Sequence, residues 1–341
     1  MVRLRGLVRF ILKRIILSLG VLLGVVVITF IVSRVIIPNP ARVWAGPRAG
    51  PQTIAALTAR FHLGDPLYTQ FYYYMFDLLR GDWGVSPSTG QPVLSNIETY
   101  LPATVELTIA AIALTVLIGI PLGVLAATQK DNAVDHLSRL VSLSGVASPP
   151  FLAALLFQLI FFYYLGLLPS GGRISDYVTP PPYVTGLYTV DSLIAGNWTA
   201  FVSSVQHLIL PAFALAFLIL GLMSRLVRAS MLEALTSDYV RTAKAKGLSR
   251  GLVIYKHALR NAFTQPVTAL SLYVAYTLGG SVVIESIFSW PGVGRYAAQA
   301  ALVFDLPAVM GTTLVFTIGV VLANLVADLL LAVIDPRIRL T

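Results

Sequence analysis

The sequence predicts an all-α integral membrane protein with six transmembrane helices, on three observations. First, 57% of its 341 residues are hydrophobic and only 11% are charged, whereas a soluble domain carries about 25% charged residues. Second, the apolar residues gather in blocks of bilayer length. Stretches free of Asp, Glu, Lys and Arg run over residues 15–33, 107–129, 140–172, 192–224, 261–284 and 306–327, each reaching the ~18 residues a helix needs to cross a hydrocarbon core. Third, the basic residues alternate in density between the segments that join these blocks.

That third observation also explains the formal net charge of +9, which on its own would suggest a nucleic-acid partner. With both termini cytosolic, the inside segments hold 17 of the 24 Lys and Arg residues. They are Arg3, Arg5, Arg9, Lys13 and Arg14, then Lys130 and Arg139, eight residues between the fourth and fifth spans, and Arg337 and Arg339. The excess is the positive-inside bias of a multi-pass protein of the cytoplasmic membrane, so the basic charge is topological and nucleic acid is excluded as a partner. The N-terminus begins like a signal peptide, but its apolar run is too long and residues 28–34 offer no small-residue cleavage site. It is read as an uncleaved first span. The sequence contains no cysteine, which excludes disulfides and thiolate metal sites.

Three regions follow from the pattern: an N-terminal segment with the first helix (1–37), a small external lobe (38–101) and a core holding the other five helices (102–341). The lobe is rich in Pro, Gly and aromatic residues, with an amphipathic segment over 70–80. A second external segment, 166–200, contains Pro180, Pro181 and Pro182 and several glycines, which predicts irregular structure. Pro121, the pair Pro149 and Pro150, Pro211 and Pro266 all fall inside spans. Each removes a backbone donor, and the freed carbonyl needs another partner or a water-lined cavity. Ordinary kinking and bending around a solute pathway both fit.

Catalytic machinery is missing from the sequence. It contains no G-x-x-x-x-G-K-[ST] phosphate loop and no H-E-x-x-H or G-x-S-x-G motif. The four histidines, at 62, 136, 207 and 257, lie in different segments, so no metal site and no enzyme activity are expected, and His207 is read as a polar contact between helices. Charged groups inside spans are functional candidates because they are costly there. Glu106 lies at the external end of the second span, and Asp328 lies toward the cytosolic end of the sixth, with Asn324 one turn earlier on the same face. For these three, a structural contact competes with a role in the pathway.

The segment 225–262 carries the most information. It is 38 residues long, with eight basic and two acidic residues, where most connections run about 4–6 residues. Ser237 or Asp238 can cap a helix start and Gly247 can close its end. The short helix between them is expected to put Tyr239, Val240 and Ala243 on one side and Arg241, Lys244 and Lys246 elsewhere. The small residues Ala243, Ala245 and Gly247 would let another protein approach the backbone.

This pattern resembles the cytosolic signature loop of binding-protein-dependent ABC importer permeases, broadly E-A-A-x-x-x-G-x9-I-x-L-P. With Gly247 on its glycine, Arg241, Thr242 and Ala243 fall on E-A-A, and His257, Leu259 and Arg260 on I, L and P. Only Ala243, Gly247 and Leu259 match. The departures are those of the dipeptide, oligopeptide and nickel branch, whose D-Y-V-R-T-A-[KR]-A-K-G-L and H-A-L-R-N-A are similar to 238–248 and 257–262. LGDPLYTQF and LLRGDWG within 63–84, LPAT and IGIPLG within 101–123, FSWPGVGR at 288–295 and DPRIR at 335–339 extend the resemblance along essentially the whole chain.

The resemblance implies a permease subunit forming half of a pathway for peptides, with oligosaccharides or nickel as alternative solutes. It implies a second permease subunit, two ATPase subunits carrying ATP and Mg, and an extracytoplasmic solute-binding protein. Asp238, Tyr239, Arg241, Ala243, Lys246, Gly247 and Leu248 would then contact an ATPase subunit, and no cofactor would sit on this chain. Trp290, Pro291 and Gly292 either face the binding protein or pathway mouth, or form a tight cap between the last two spans. A stand-alone secondary transporter would instead predict self-sufficient intramembrane ion sites and repeat symmetry, neither of which the sequence displays.

Overall fold

The computed structural model describes residues 2–46 and 49–334. Arg48, Arg337, Arg339 and the DPRIR match at 335–339 lie outside the described residues. Among those described, the regular structure is helical. The long helices are α1 (Val2–Ile31), α5 (Val93–Leu114), α10 (Trp198–Thr236), α14 (Thr264–Ile287) and α16 (Leu306–Ile334). Between them lie α2 (Pro40–Ala45), α3 (Pro51–Arg60), α4 (Leu67–Leu79), α6 (Ile120–Thr128), α7 (Ala133–Ala147), α8 (Pro150–Phe157), α9 (Tyr188–Ile194), α11 (Asp238–Ala245), α12 (Arg250–Leu252), α13 (Arg260–Ala262) and α15 (Val293–Leu302).

Four helical stretches are long and apolar enough to cross a membrane: Leu12–Ile36, Val93–Thr128, Trp198–Thr236 and Leu306–Val326. Two further apolar pairs are bent, Ala133–Ala147 with Pro150–Tyr164 by 114° and Thr264–Val274 with Tyr276–Ile287 by 46°. Among the described residues, the helices thus offer four candidate spans, or up to six if each bent pair makes one.

The 114° break has a local cause. A residue preceding proline is driven out of the helical region into extended conformation, and two prolines in a row impose this twice. Ser148 has φ −86°, ψ 124° and Pro149 has φ −56°, ψ 136°. Helix then restarts at Pro150, where the missing N–H would have had no helical partner anyway. Pro211 behaves differently and lies within the unbroken α10. Before Pro121 the helix widens into a π turn, Thr115–Gly119, a usual accommodation for a residue that cannot donate.

Two helices run further than the charge-free blocks. The second block begins at residue 107, but α5 starts at Val93 and runs through Pro102, so residues 93–101 of the expected lobe are helical. Tertiary packing overrides the proline, since Ala103 and Leu107 on the next turns are fully buried. Likewise, the first twelve residues of the expected 225–262 loop continue α10. At 1.5 Å per residue its 39 residues make about 58 Å, nearly twice a hydrocarbon core of ~30 Å. The first charge at Arg225 ends the apolar run but not the helix, because no Gly or Pro interrupts the helix-forming residues up to Thr236.

The chain divides into two compact units, Met1–Thr104 with Pro291–Val321, and Val105–Trp290 with Leu322–Thr341. In the first, Phe30 packs edge-on against Phe71, ring centroids 5.1 Å apart, and the Arg34 guanidinium lies 4.1 Å over the Trp44 ring. Val93 and Ile97 pack with Tyr296, Ala300 and Ala308 in its core. Asp305, buried, accepts hydrogen bonds from the Ser86 hydroxyl and from the Ser88 hydroxyl at 2.6 Å, and from the Ala308 N–H at the start of α16 at 3.2 Å.

In the second unit α10 is the hub against which α6, α7, α8, α9 and α14 pack. Close approach depends on missing side chains, as expected where helices associate in a membrane. A Cβ on Gly221 would lie 2.5 Å from the Ser142 carbonyl oxygen, one on Gly145 2.6 Å from that of Phe217, and one on Gly123 2.6 Å from that of Ser224. We expect Gly145→Ala or Gly221→Ala to lower stability by about 1–3 kcal/mol, the usual range for overpacking. Gly24→Ala on α1, where a Cβ meets nothing within 4 Å, should be neutral. Thermal unfolding in mild detergent compares the three, and equal midpoints would show that the backbones give way without strain.

Candidate functional site

The segment 237–248 forms a short helix and turn directly after α10. Ser237 leaves the helical region with ψ 154° and ends α10, and α11 starts at once. Its amino end carries Asp238, a sign of charge that suits the helix dipole. Ser237 does not cap α11 through its side chain. Its hydroxyl instead donates back to the Ala234 carbonyl at 2.5 Å. At the other end Gly247 adopts φ +74°, a left-handed conformation that side-chain-bearing residues pay about 1–2 kcal/mol to enter, and its N–H donates to the Lys244 carbonyl at 3.0 Å.

Val240 and Ala243, three residues apart on one helical face, are buried in a cluster with Val124 and Ala127 of α6 and Met223, Val227, Met231 and Ala234 of α10. Leu248 is half-buried against the same cluster. Fully burying a side chain such as Val240 contributes about 1.5–3 kcal/mol, so the segment is fastened to two long helices. Asp238, Tyr239, Arg241, Lys244, Lys246 and Gly247 are exposed. Two details differ from the sequence reading. Tyr239 is 41% exposed, although it lies one turn before Ala243 on the same helical face. Ala243 is a small contact within this chain and offers no free surface.

A second polar cluster lies in the external segment. Arg173 and Glu106 are both buried. Arg173 donates to Glu106 Oε2 from Nε at 3.0 Å and from NH2 at 2.5 Å, and also to the Gly186 carbonyl at 2.6 Å. Glu106 Oε1 accepts from the Thr189 N–H at 2.8 Å and its hydroxyl at 2.7 Å. The guanidinium stacks 3.9 Å over the Tyr188 ring. Burial would push the Asp191 carboxyl up, but hydrogen bonds from the Thr185 hydroxyl and the N–H groups of Thr185, Val184 and Gly186 outweigh it and hold the carboxyl below its ordinary range. Gly171 lets this segment tuck against α14: a Cβ there would sit 2.2 Å from the Phe288 oxygen. Trp290 is 1% exposed and Gly292 is buried, while Pro291 is half-buried.

Asn324 and Asp328 share α16, Asn324 exposed and Asp328 half-buried. His207 does not bridge helices, because its Nδ1 lies 2.8 Å from the Ser203 carbonyl one turn earlier in α10. The sequence reading missed Asp135, fully buried in α7, which accepts from Arg228 Nε at 2.7 Å, Arg228 NH2 at 2.8 Å and Arg139 NH2 at 2.9 Å. The i, i+4 spacing of Asp135 and Arg139 was the available signal. Arg228, 93 residues away, had none.

Comparison with known proteins shows the class of protein to which this long helix and its glycine-closed segment belong. Residues 119–340 match the family described as binding-protein-dependent transport system inner membrane component, and residues 7–108 match its N-terminal membrane component. The chain belongs to this family and, within it, to the dipeptide permease branch. It is 44% identical over 318 residues to a probable D,D-dipeptide transport system permease protein of Escherichia coli, covering 93% of this chain and 94% of that one. A dipeptide transport system permease protein of Alkalihalophilus pseudofirmus is 42% identical over 327 residues, 96% and 98% of the two chains. A glutathione transport system permease protein of Salmonella typhimurium is 34% identical over 333 residues, 98% and 99%.

Proposed function

We propose that this chain forms half of the transmembrane pathway of an ATP-driven importer of short peptides. In this reading it crosses the cytoplasmic membrane six times with both termini cytosolic, pairs with a second permease, and takes its solute from an extracytoplasmic binding protein. The two ATPase subunits carry the ATP and Mg. The observation that carries the proposal is α11: a fastened inner face of Val240 and Ala243, and a free outer face bearing Asp238, Tyr239, Arg241, Lys246 and Gly247. The outer face docks in a cleft of an ATPase subunit, with Ala243 and Leu248 anchoring the segment to α6 and α10. A movement of the ATPase then reaches the membrane through the rigid α10, alternating the pathway between inward and outward states.

Peptides are proposed as the solute because the relatives are named for dipeptides, D,D-dipeptides and glutathione. Glu106, Asn324 and Asp328 are assigned structural contacts, which the buried pairing of Glu106 with Arg173 supports. The burial of Trp290 favours the cap reading of the 290–292 turn over a docking surface.

Reconstitution tests this reading. The chain, co-purified with its partners and placed in proteoliposomes, is expected to take up labelled dipeptide only with ATP and the binding protein. Uptake of nickel or an oligosaccharide in place of dipeptide would keep the machinery and replace the solute. Uptake by the chain alone without ATP would establish the secondary-transporter reading instead.

A further inference from the structure

A cavity of about 230 Å³ opens between α6, α7 and α10, lined by Ser138, Arg139, Ser142, Ser224, Arg225 and Arg228. The function proposed above makes no use of it. We propose that it binds the headgroup of an anionic phospholipid in the leaflet on the side of the α11 lever. Only the name of that leaflet, cytosolic, rests on the orientation proposed above.

The chemistry of the walls selects a phosphodiester. Guanidinium forks match the paired oxygens of a phosphate better than any other side chain does, and serine hydroxyls donate to the same oxygens. Asp135 is the device that sets two of the three arginines. Entirely buried, it holds Arg228 through Nε and NH2 and Arg139 through NH2, so their orientation is fixed before any ligand arrives. Asp131, exposed, sits 3.8 Å from Arg139. Three cations against two carboxylates leave one positive charge, the complement of one phosphodiester.

The surroundings select a lipid over a soluble phosphate. Leu143 lines the cavity, and Leu137, Leu140 and Leu143 form an exposed stripe on α7 at intervals of three residues, beside Arg139. A headgroup among the arginines would lay its acyl chains along this stripe. Arg225 and Arg228 lie about 3.3 and 2.5 turns before Ser237, in the part of α10 just past its apolar run, which is the level of a headgroup. Basic pockets between membrane helices at this level are a known form of acidic-lipid site.

The test uses the full chain in mild detergent, with phosphatidylglycerol, phosphatidylcholine and inorganic phosphate as probes. Native mass spectrometry reads retention, and the unfolding midpoint reads stabilisation. Phosphatidylglycerol should be retained and should raise the midpoint, and the other two probes should not. Arg225→Gln, which leaves the Asp135 pairs intact, should weaken retention roughly fivefold, and R139Q/R225Q roughly 25-fold, from about 1 kcal/mol per basic residue at a lipid surface. Equal retention of phosphatidylcholine, displacement of the lipid by inorganic phosphate, or unchanged binding in both variants would each overturn the proposal. Because the sequence has no cysteine, Leu140→Cys supplies the single cysteine of this chain for labelling within the assembled transporter. Crosslinking from it to the second permease would show that a protein, and no lipid, covers this face.

Discussion

Glu106→Ala and Arg173→Ala are each expected to destabilise the protein by about 3–5 kcal/mol, the usual effect of removing one partner from a buried ion pair. Both side chains are less than a tenth exposed, so neither can turn to water when its partner goes. The loss falls on the whole external segment, since Arg173 also holds the Gly186 carbonyl and Glu106 holds Thr189. If the pair is only structural, Glu106→Leu combined with Arg173→Met should recover much of that stability, because replacing both charges by apolar groups of similar size is often neutral. Uptake should recover with it. A double variant that regains its unfolding midpoint in detergent yet transports no solute would move Glu106 and Arg173 from scaffold to pathway.

The second large effect is expected at Gly247. Trp at this position should insert into the membrane and lose at least about tenfold in ATP-driven uptake, equivalent to about 1.4 kcal/mol of lost docking. Two effects would act together, and the series must separate them. Gly247 has φ +74°, so any side chain strains the turn, but asparagine tolerates that region far better than others. A Cβ at Gly247 meets nothing within 4 Å beyond its chain neighbours, so a side chain can start there without displacing a packed neighbour. Gly247→Asn should therefore keep most uptake, Gly247→Ala should lose a little through strain, and Gly247→Trp should lose most of it. Equal uptake by the Trp and Asn variants would remove Gly247 from the ATPase contact.

Much of the candidate coupling segment was legible before folding. Its ends are written in local chemistry, a cap position at Ser237 and a glycine at 247, and local rules need only neighbouring residues. Which of its residues face inward was only half legible. Val240 and Ala243 follow helical spacing, but the exposure of Tyr239 depends on where α6 and α10 stand. The helical course through Pro102 was not legible, because a proline is a local signal against helix and the packing of Ala103 and Leu107 is not local.

The sequence by itself determined that the chain is a helical membrane protein and where its apolar helices lie, because the bilayer imposes a length and a charge rule on every crossing segment. It also favoured the break at Pro149 and Pro150, since two consecutive prolines bias both Ser148 and Pro149 toward extended backbone. Only the tertiary structure decided how the buried charges are satisfied. Glu106 finds Arg173 across 67 residues, Asp135 finds Arg228 across 93 and Ser86 finds Asp305 across 219. A buried charge must have a partner, but that requirement does not say which distant residue will supply it. The answer comes from the order in which helices pack, and from glycines such as Gly145 and Gly221 that set how closely they approach.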